Sequence, residues 1–151
     1  MIKRQVSKSA LQELPYLTWN AFVDLLAMED EKDLTETQKI AHYSFWYDAE
    51  LQNGGHLQYF ENRRRKDYTI IIESLIKLGA LKQADVMKSA VRQFKKKNRP
   101  RIISVFEIVR QAREGEYDVF DTDYYHSTPD ITTLLEKYLH DHFDHFIELI
   151  D

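Results

Sequence analysis

The amino-acid sequence predicts an all-α protein that folds as a single-domain bundle of about six or seven helices. Apolar residues recur with the 3.6-residue period of an α-helix in every long segment, and no segment shows the two-residue alternation of a strand. The glycines and Pro100 stand where these periodic segments stop. The 151 residues suffice to bury one core without metals or disulfides, so we expect one domain over residues 1–151.

Two amphipathic helices are predicted in the N-terminal part of the chain. The first covers about 16–28, where an apolar stripe recurs at i, i+3, i+4 and i+7: Trp19, Phe22, Val23 and Leu26. Thr35 and Gln38 form a capping box that begins the second helix. This helix runs to a sharp helix–helix corner at Gly54 and Gly55, because glycine adopts positive φ without steric cost. A short helical turn is expected over 57–60.

Three more helices are predicted in the middle of the chain. Asp67 can cap the first, which ends at Gly79, and the second ends in the lysines at 95–97. The third is closed by Gly115 and carries Ile102, Val105, Val109 and Ala112 on one stripe. The segment 116–129 is acidic and aromatic, and we expect it to be irregular.

The last helix is predicted to begin at about Asp130. Its apolar stripe would extend to the end of the sequence and comprise Leu135, Leu139, Phe143, Phe146 and Ile150.

Charge is strongly segregated along the chain, although the net charge is only −4. Residues 1–62 hold 5 basic and 10 acidic residues, a net of −5. Residues 63–113 hold 15 basic and 4 acidic residues, a net of +11, and residues 114–151 hold 1 basic and 11 acidic residues, a net of −10. Such asymmetry indicates a charged partner or the pairing of opposite faces.

The absence of cysteine excludes disulfides, a thiolate nucleophile and a cysteine-based zinc site. We expect a cytoplasmic protein, since cysteine is absent and no apolar run reaches the length of a signal peptide core or a membrane span. No membrane partner is therefore predicted.

The stretch 47–62 resembles the signature of a bacterial family of DNA-mimic proteins. The residues that carry the resemblance are Glu50, Asn53, Gly54, Gly55, Gln58, Tyr59, Phe60 and Asn62. Weaker matches are Ala80-Leu81 after Gly79 and the acidic-aromatic run at 120–125, so the family-like core covers about 40–145. The resemblance implies an all-α fold, no known catalytic activity and a role in binding other proteins. The mimic member of the family presents carboxylates where DNA would present phosphates.

We predict a non-enzymatic protein-interaction module that binds and inhibits or sequesters a partner protein, as a DNA-mimic-like regulator or an immunity-type protein would. The partner is another protein, basic or DNA-binding, and homodimer formation is left open. The candidate partner-binding residues combine aromatic side chains with carboxylates, which suits an interface with a basic partner. They are Tyr117, Asp118, Phe120, Asp121, Asp123, Tyr124 and Tyr125. We expect the three aspartates on the surface.

Two alternatives stay open. Glu50, Asn53, His56 and Gln58 could form a ligand-binding or acid–base site at the Gly-Gly corner, although polar side chains at such a corner more often satisfy backbone groups. The basic runs at 63–66 and 95–101 could contact phosphates, but no stacking or groove-binding motif accompanies them, so nucleic-acid binding is the weaker alternative.

No cofactor and no metal site are predicted. On a helix His140 would point away from His142 and His145, so three imidazoles would not converge as metal ligands must. Phosphate-loop, nucleophile-elbow and His-Glu-x-x-His motifs are absent from the sequence.

Overall fold

The computed structural model describes residues 1–96 and 101–151. Eight α-helices and two short strands make up these residues, in the order β1 (Arg4–Ser7), α1 (Lys8–Glu13), α2 (Leu17–Met28), α3 (Glu36–Asn62), α4 (Thr69–Leu78), α5 (Leu81–Lys95), α6 (Val105–Glu114), α7 (Asp118–Tyr125), α8 (Ile131–Asp141) and β2 (Ile147–Ile150). Short 3-10 turns cover Glu31–Asp33 and Phe143–His145. The predicted all-α fold is confirmed, with more helices than expected.

The long helix α3 lies at the centre of the bundle. It packs against α2, α4, α7 and α8, and α4 continues into α5 along the same side. The core contains fully buried side chains from most of these helices: Phe22, Leu25, Leu26, Tyr47, Leu51, Leu75 and Met87. None of the helices among the described residues is long and apolar enough to cross a membrane.

The capping box at the start of α3 also ties the two ends of the chain together. Thr35 Oγ1 accepts a hydrogen bond from the Gln38 backbone at 3.3 Å, and Gln38 Oε1 accepts one from the Thr35 backbone at 3.0 Å. The same Gln38 side chain donates to the carbonyls of Ile2 and His145, at 2.6 and 2.7 Å. Gln38 can be fully buried because each polar group of its side chain has a hydrogen-bond partner.

Replacing Thr35 by alanine should lower the free energy of unfolding by about 1 kcal/mol, because an α3 amide loses its acceptor. A loss of this size corresponds to a fall of roughly 2–4 °C in the melting temperature of a domain this long. Thr35→Ser keeps the hydroxyl and is the matched control. Equal melting temperatures for the two variants would show that the cap does not stabilise α3.

The predicted extent of the last helix was wrong. The last helix ends at Asp141, and the chain then makes a 3-10 turn and forms β2 instead of continuing to Ile150. Strand β2 pairs in parallel with β1, with Arg4 opposite Ile147 and Ser7 opposite Ile150. Phe146 still enters the core, where its ring packs edge-on against Phe22 at 4.8 Å between centroids. The apolar stripe therefore predicted the burial of Leu135, Leu139 and Phe146 correctly, but Ile150 is exposed and the helix does not extend past Asp141.

The segment 116–129 was also predicted wrongly, since it contains the helix α7. Asp67 does support the start of α4, but as a turn residue before the cap: its Oδ1 accepts from the Thr69 backbone at 2.9 Å, and Tyr68 holds the cap position. Gly79 and Gly115 end α4 and α6 with φ of 96° and 70°, as the sequence predicted. The predicted lysine at 97 and the break at Pro100 lie outside the described residues.

Candidate functional site

The Gly-Gly corner is a kink inside α3. Gly55 has φ 71° and ψ −169°, a conformation that L side chains rarely adopt, whereas Gly54 has an extended φ of −160° that other residues reach as well. Space is also short at both positions. A Cβ on Gly55 would collide with the Asp121 carboxylate, whose Cγ would lie 2.9 Å away, and a Cβ on Gly54 would collide with the side chain of Gln58.

The missing side chain at Gly55 lets Asp121 of α7 reach His56. Asp121 Oδ1 lies 2.6 Å from His56 Nδ1 and accepts from the His56 backbone N–H at 2.9 Å. On the other side of the ring, His56 Nε2 lies 2.6 Å from the Tyr47 hydroxyl. A carboxylate can only accept, so Nδ1 carries a proton toward Asp121, and in the neutral ring Nε2 accepts from Tyr47. The three side chains form a continuous hydrogen-bonded relay.

The histidine and the tyrosine of the relay are closed to solvent, whereas Asp121 is partly exposed. His56 and Tyr47 are fully buried, and burial raises the pKa of the Tyr47 hydroxyl well above its usual range. The nearest recess has a volume of about 80 Å³ and is lined by Gly54, Leu57, Gln111, Ala112, Glu116, Tyr117, Asp118 and Asp121. Ligand pockets are typically about 300–1,000 Å³ in volume, so this recess holds little more than water. The geometry therefore favours a structural role for the relay over acid–base chemistry.

A second polar cluster joins the two halves of α3 across the kink. Glu50 is buried, and its Oε2 accepts from Gln58 Nε2 at 2.7 Å and from Asn62 Nδ2 at 2.9 Å. Arg63 Nε lies 3.5 Å from Glu50 Oε1, and its guanidinium carbon stacks 3.7 Å above the ring of Trp46. One buried carboxylate before the kink thus contacts donors that lie after it, which fits the structural role predicted for these side chains.

The remaining signature residues divide between core and surface. Tyr59 and Phe60 are buried, and Phe60 stacks on Phe94 of α5 at 4.5 Å between centroids. Asn53 is exposed on the outside of the kink.

Helix α7 is fixed against this corner by polar contacts from three of its residues. Besides Asp121, the Tyr124 hydroxyl donates to Asp48 Oδ1, and the Tyr125 hydroxyl donates to the Leu51 carbonyl at 2.5 Å. Burial and the neighbouring Asp48 carboxylate raise the pKa of Tyr124. These hydrogen bonds hold α7 on α3, and α7 also packs against α5.

These contacts change the expected partner-binding set. Tyr117 and Tyr124 are buried, Phe120 is half-buried, and Asp121 is engaged with His56, so the expectation that all three aspartates lie on the surface was wrong for Asp121. The members that the structure leaves exposed are Asp118, Asp123 and Tyr125, with Val119 beside them. Their role in binding stays a prediction.

The exposed carboxylates extend well beyond α7. Of the 11 acidic residues in 114–151, only Glu116 and Asp121 are partly buried, and the other nine are exposed. We call these nine the acidic surface: Glu114, Asp118, Asp123, Asp130, Glu136, Asp141, Asp144, Glu148 and Asp151. The one basic residue of the segment, Lys137, pairs with Asp141 at 2.5 Å.

Exposed cations lie in the central segment. They include Arg64 and Lys66 in the loop after α3, Lys95 and Lys96 at the end of α5, and Arg101. Within residues 1–96 and 101–151, no group of three or more histidine or carboxylate side chains is arranged to hold a metal ion.

Sequence reasoning missed the relay and the Tyr124–Asp48 contact. Asp121 lies 65 residues from His56 in sequence, and nothing in the spacing indicates that a helix near residue 120 returns to the corner. The one available signal was Gly55 itself, because a glycine that must lack a side chain indicates close approach by another element.

Comparison with known proteins supports the family indicated by the Asn-Gly-Gly and Gln-Tyr-Phe residues. No curated protein and no solved structure matches the chain. The family model described as DMP19-like protein matches residues 32–142, which is well over half of the chain and includes the kink, the relay and α7. The predicted resemblance to DNA-mimic proteins is thereby confirmed, and the chain belongs to the DMP19-like protein family.

Proposed function

We propose that this protein is a non-enzymatic interaction module whose acidic surface binds a basic partner protein and inhibits or sequesters it. The observation that carries the proposal is the set of nine exposed carboxylates on residues 114–151, accompanied by a single lysine. The DMP19-like family suggests a DNA-mimic role, in which the partner is a DNA-binding protein. An immunity-type inhibitor would use the same surface chemistry against a basic toxin.

The fixed position of α7 supports this proposal. Hydrogen bonds from Asp121, Tyr124 and Tyr125 hold the helix on α3, so Asp118 and Asp123 project from a rigid element. A rigid array of charges loses little conformational entropy when it binds, which favours its use as a recognition surface. Long-range attraction between the acidic surface and a basic partner should also accelerate association.

Reversing Asp118 and Asp123 together to lysine should slow association with the partner by roughly tenfold or more at low salt, because electrostatic steering is lost. The partner is first captured from a lysate of the source cells, and the association rate is then measured by surface plasmon resonance. Reversing Lys95 and Lys96 to glutamate is the matched control, since it changes as many exposed charges in the central segment.

If the protein instead binds nucleic acid, reversing the two lysines should weaken binding more than reversing the two aspartates. Under that alternative Lys95 and Lys96 are decisive, and affinity for duplex DNA or RNA falls steeply with the logarithm of salt concentration. Tight binding of the unmodified protein to either duplex would contradict the proposal before any partner is identified. For a DNA mimic, the captured partner should also lose its own DNA when this protein is added.

A further inference from the structure

Helix α6 presents its apolar side to solvent. None of its residues is buried, and the apolar residues just before the helix and in its first turns are exposed: Ile103 at 91%, Phe106 at 78%, Val105 at 77% and Val109 at 43%. We call these four residues the α6 ridge. The helix rests on the bundle through Glu107, Ile108 and Gln111, which are only partly exposed.

The ridge is part of a well-defined helix. Ser104 Oγ accepts a hydrogen bond from the Glu107 backbone at 3.2 Å, and Gly115 ends the helix with φ 70°. A rigid group of exposed apolar side chains on a soluble domain marks an interaction surface, because leaving it in water is unfavourable.

Charges of both signs adjoin the ridge. Arg110 and Arg113 are exposed and stand four and seven residues after Phe106, on the same side of the helix. The C-terminal end of α6 leads directly into α7: Ala112 and Asp118 line the same 80 Å³ recess. The next recess is lined by Asp118, Val119, Thr122 and Asp123. The surface therefore continues from an apolar ridge with cations to a carboxylate-bearing edge with an exposed valine.

A second copy of this chain fits such a surface. In a dimer with a twofold axis, the same surface of each copy faces the other copy in the opposite orientation. The cations of one copy can therefore meet the carboxylates of the other. We propose that two copies associate through this face, with the α6 ridge of each packed against the Asp118–Val119 edge of α7 in the other. Pairing of α6 with α6 alone is less favourable, because it would leave the carboxylates of the α7 edge without a cationic partner.

Polyanionic occupants fit less well. Exposed carboxylates at Glu114, Asp118 and Asp123 adjoin the ridge and repel both a nucleic acid and an anionic lipid surface. The exposed aliphatic residues of the ridge also have no counterpart in a phosphate backbone. A protein surface that carries apolar residues and charges of both signs can pack against the ridge and pair with the charges beside it.

The association should be weak and sensitive to salt. The ridge provides few apolar side chains, and a stable interface usually buries about 800 Å² on each partner. We expect a dissociation constant in the micromolar range, as in the weaker complexes with interfaces of this size. The proposal rests on the α6 ridge, which the partner-binding argument does not use, although both surfaces include Asp118 of α7.

Sedimentation velocity of the full chain over a series of concentrations tests the proposal. The unmodified protein should shift from monomer to dimer, and Phe106→Ser should weaken the association at least tenfold. Met28→Ser is the matched control, since Met28 is 72% exposed on α2 and its loss should leave the association unchanged. Monomer at every concentration, or equal effects of the two variants, would overturn the proposal.

A charge swap tests the pairing across the twofold axis. Arg113→Asp and Asp118→Arg should each weaken the dimer, and the double variant that carries both changes should restore it. Failure of the double variant to recover would contradict the pairing of α6 with α7.

Other occupants of the ridge are tested with phosphatidylglycerol vesicles and duplex DNA. If the monomer binds either of them and Phe106→Ser abolishes this binding, the ridge is a site for that ligand and the dimer proposal is overturned. Phe106→Ser leaves the acidic surface intact, so its effect on partner binding separates this inference from the proposed function.

Discussion

Gly55→Val should destabilise the protein more than any other single change at the candidate site. The backbone at Gly55 has φ 71°, which a β-branched residue reaches only with strain, and the new side chain would collide with the Asp121 carboxylate. Strain of about 1–3 kcal/mol and the loss of a buried acceptor worth about 1–3 kcal/mol combine to a cost of about 2–6 kcal/mol. The melting temperature, measured by circular dichroism, should fall by roughly 4–24 °C.

Gly79 separates the two causes. It also has positive φ, at 96°, but the nearest atom to an added Cβ is Leu134 Cδ2 at 3.7 Å, an ordinary contact. Gly79→Ala therefore measures backbone strain alone, and Gly55→Ala measures strain plus the collision. Removing the Asp121 carboxylate should reduce the cost of Gly55→Ala, which a double-mutant cycle detects. Equal costs at the two glycines, with no coupling to Asp121, would show that close approach of α7 is not the reason for Gly55.

Local signals in the sequence predicted most helices and their ends. The capping box of Thr35 and Gln38, the C-terminal glycines at Gly79 and Gly115, and the 3.6-residue apolar stripes each act over a few residues. These signals determine where a helix begins and ends without a contact from a distant part of the chain. The kink at Gly54-Gly55 belongs to the same class, since glycine pairs restrict the possible geometry directly.

The errors arose where long-range contacts decide the structure. The chain after Asp141 has an apolar stripe that suits a helix, but pairing with Arg4–Ser7, nearly the whole chain length away, draws it into a strand. The α7 segment has few aliphatic residues and many aspartates, which disfavour a helix in isolation. In the folded protein its tyrosines and Asp121 find partners on α3, and the helix also packs against α5.

The same contacts explain why only part of the candidate surface was predictable. Composition predicted an acidic C-terminal segment, and most of its carboxylates are exposed. Composition could not distinguish Asp118 from Asp121, because both are aspartates at the start of one helix. They lie only about 60° apart around the helix axis, and only the fold shows that Asp121, and not Asp118, contacts His56 at the kink.

Asp121→Ala should therefore lower the free energy of unfolding by about 2–5 kcal/mol, because it leaves the His56 amide and Nδ1 buried without an acceptor. Asp121→Asn keeps the Oδ1 acceptor and should cost much less. Asp118→Ala removes an exposed carboxylate three residues away and should change stability by no more than about 0.5 kcal/mol. Thermal and urea unfolding of the three variants measure these differences.

The asparagine variant decides between two descriptions of the relay. If it retains most of the stability, Asp121 acts as a hydrogen-bond acceptor for a neutral His56. If it is as unstable as Asp121→Ala, the negative charge of the carboxylate is itself required at this contact. If Asp121→Ala is no less stable than Asp118→Ala, the contact does not fix α7 at all. In the first two cases, loss of Asp121 should also increase hydrogen exchange in α7 and slow partner association more than Asp118→Ala does. Each variant removes one negative charge, so a larger effect at Asp121 measures the value of holding the acidic surface in place.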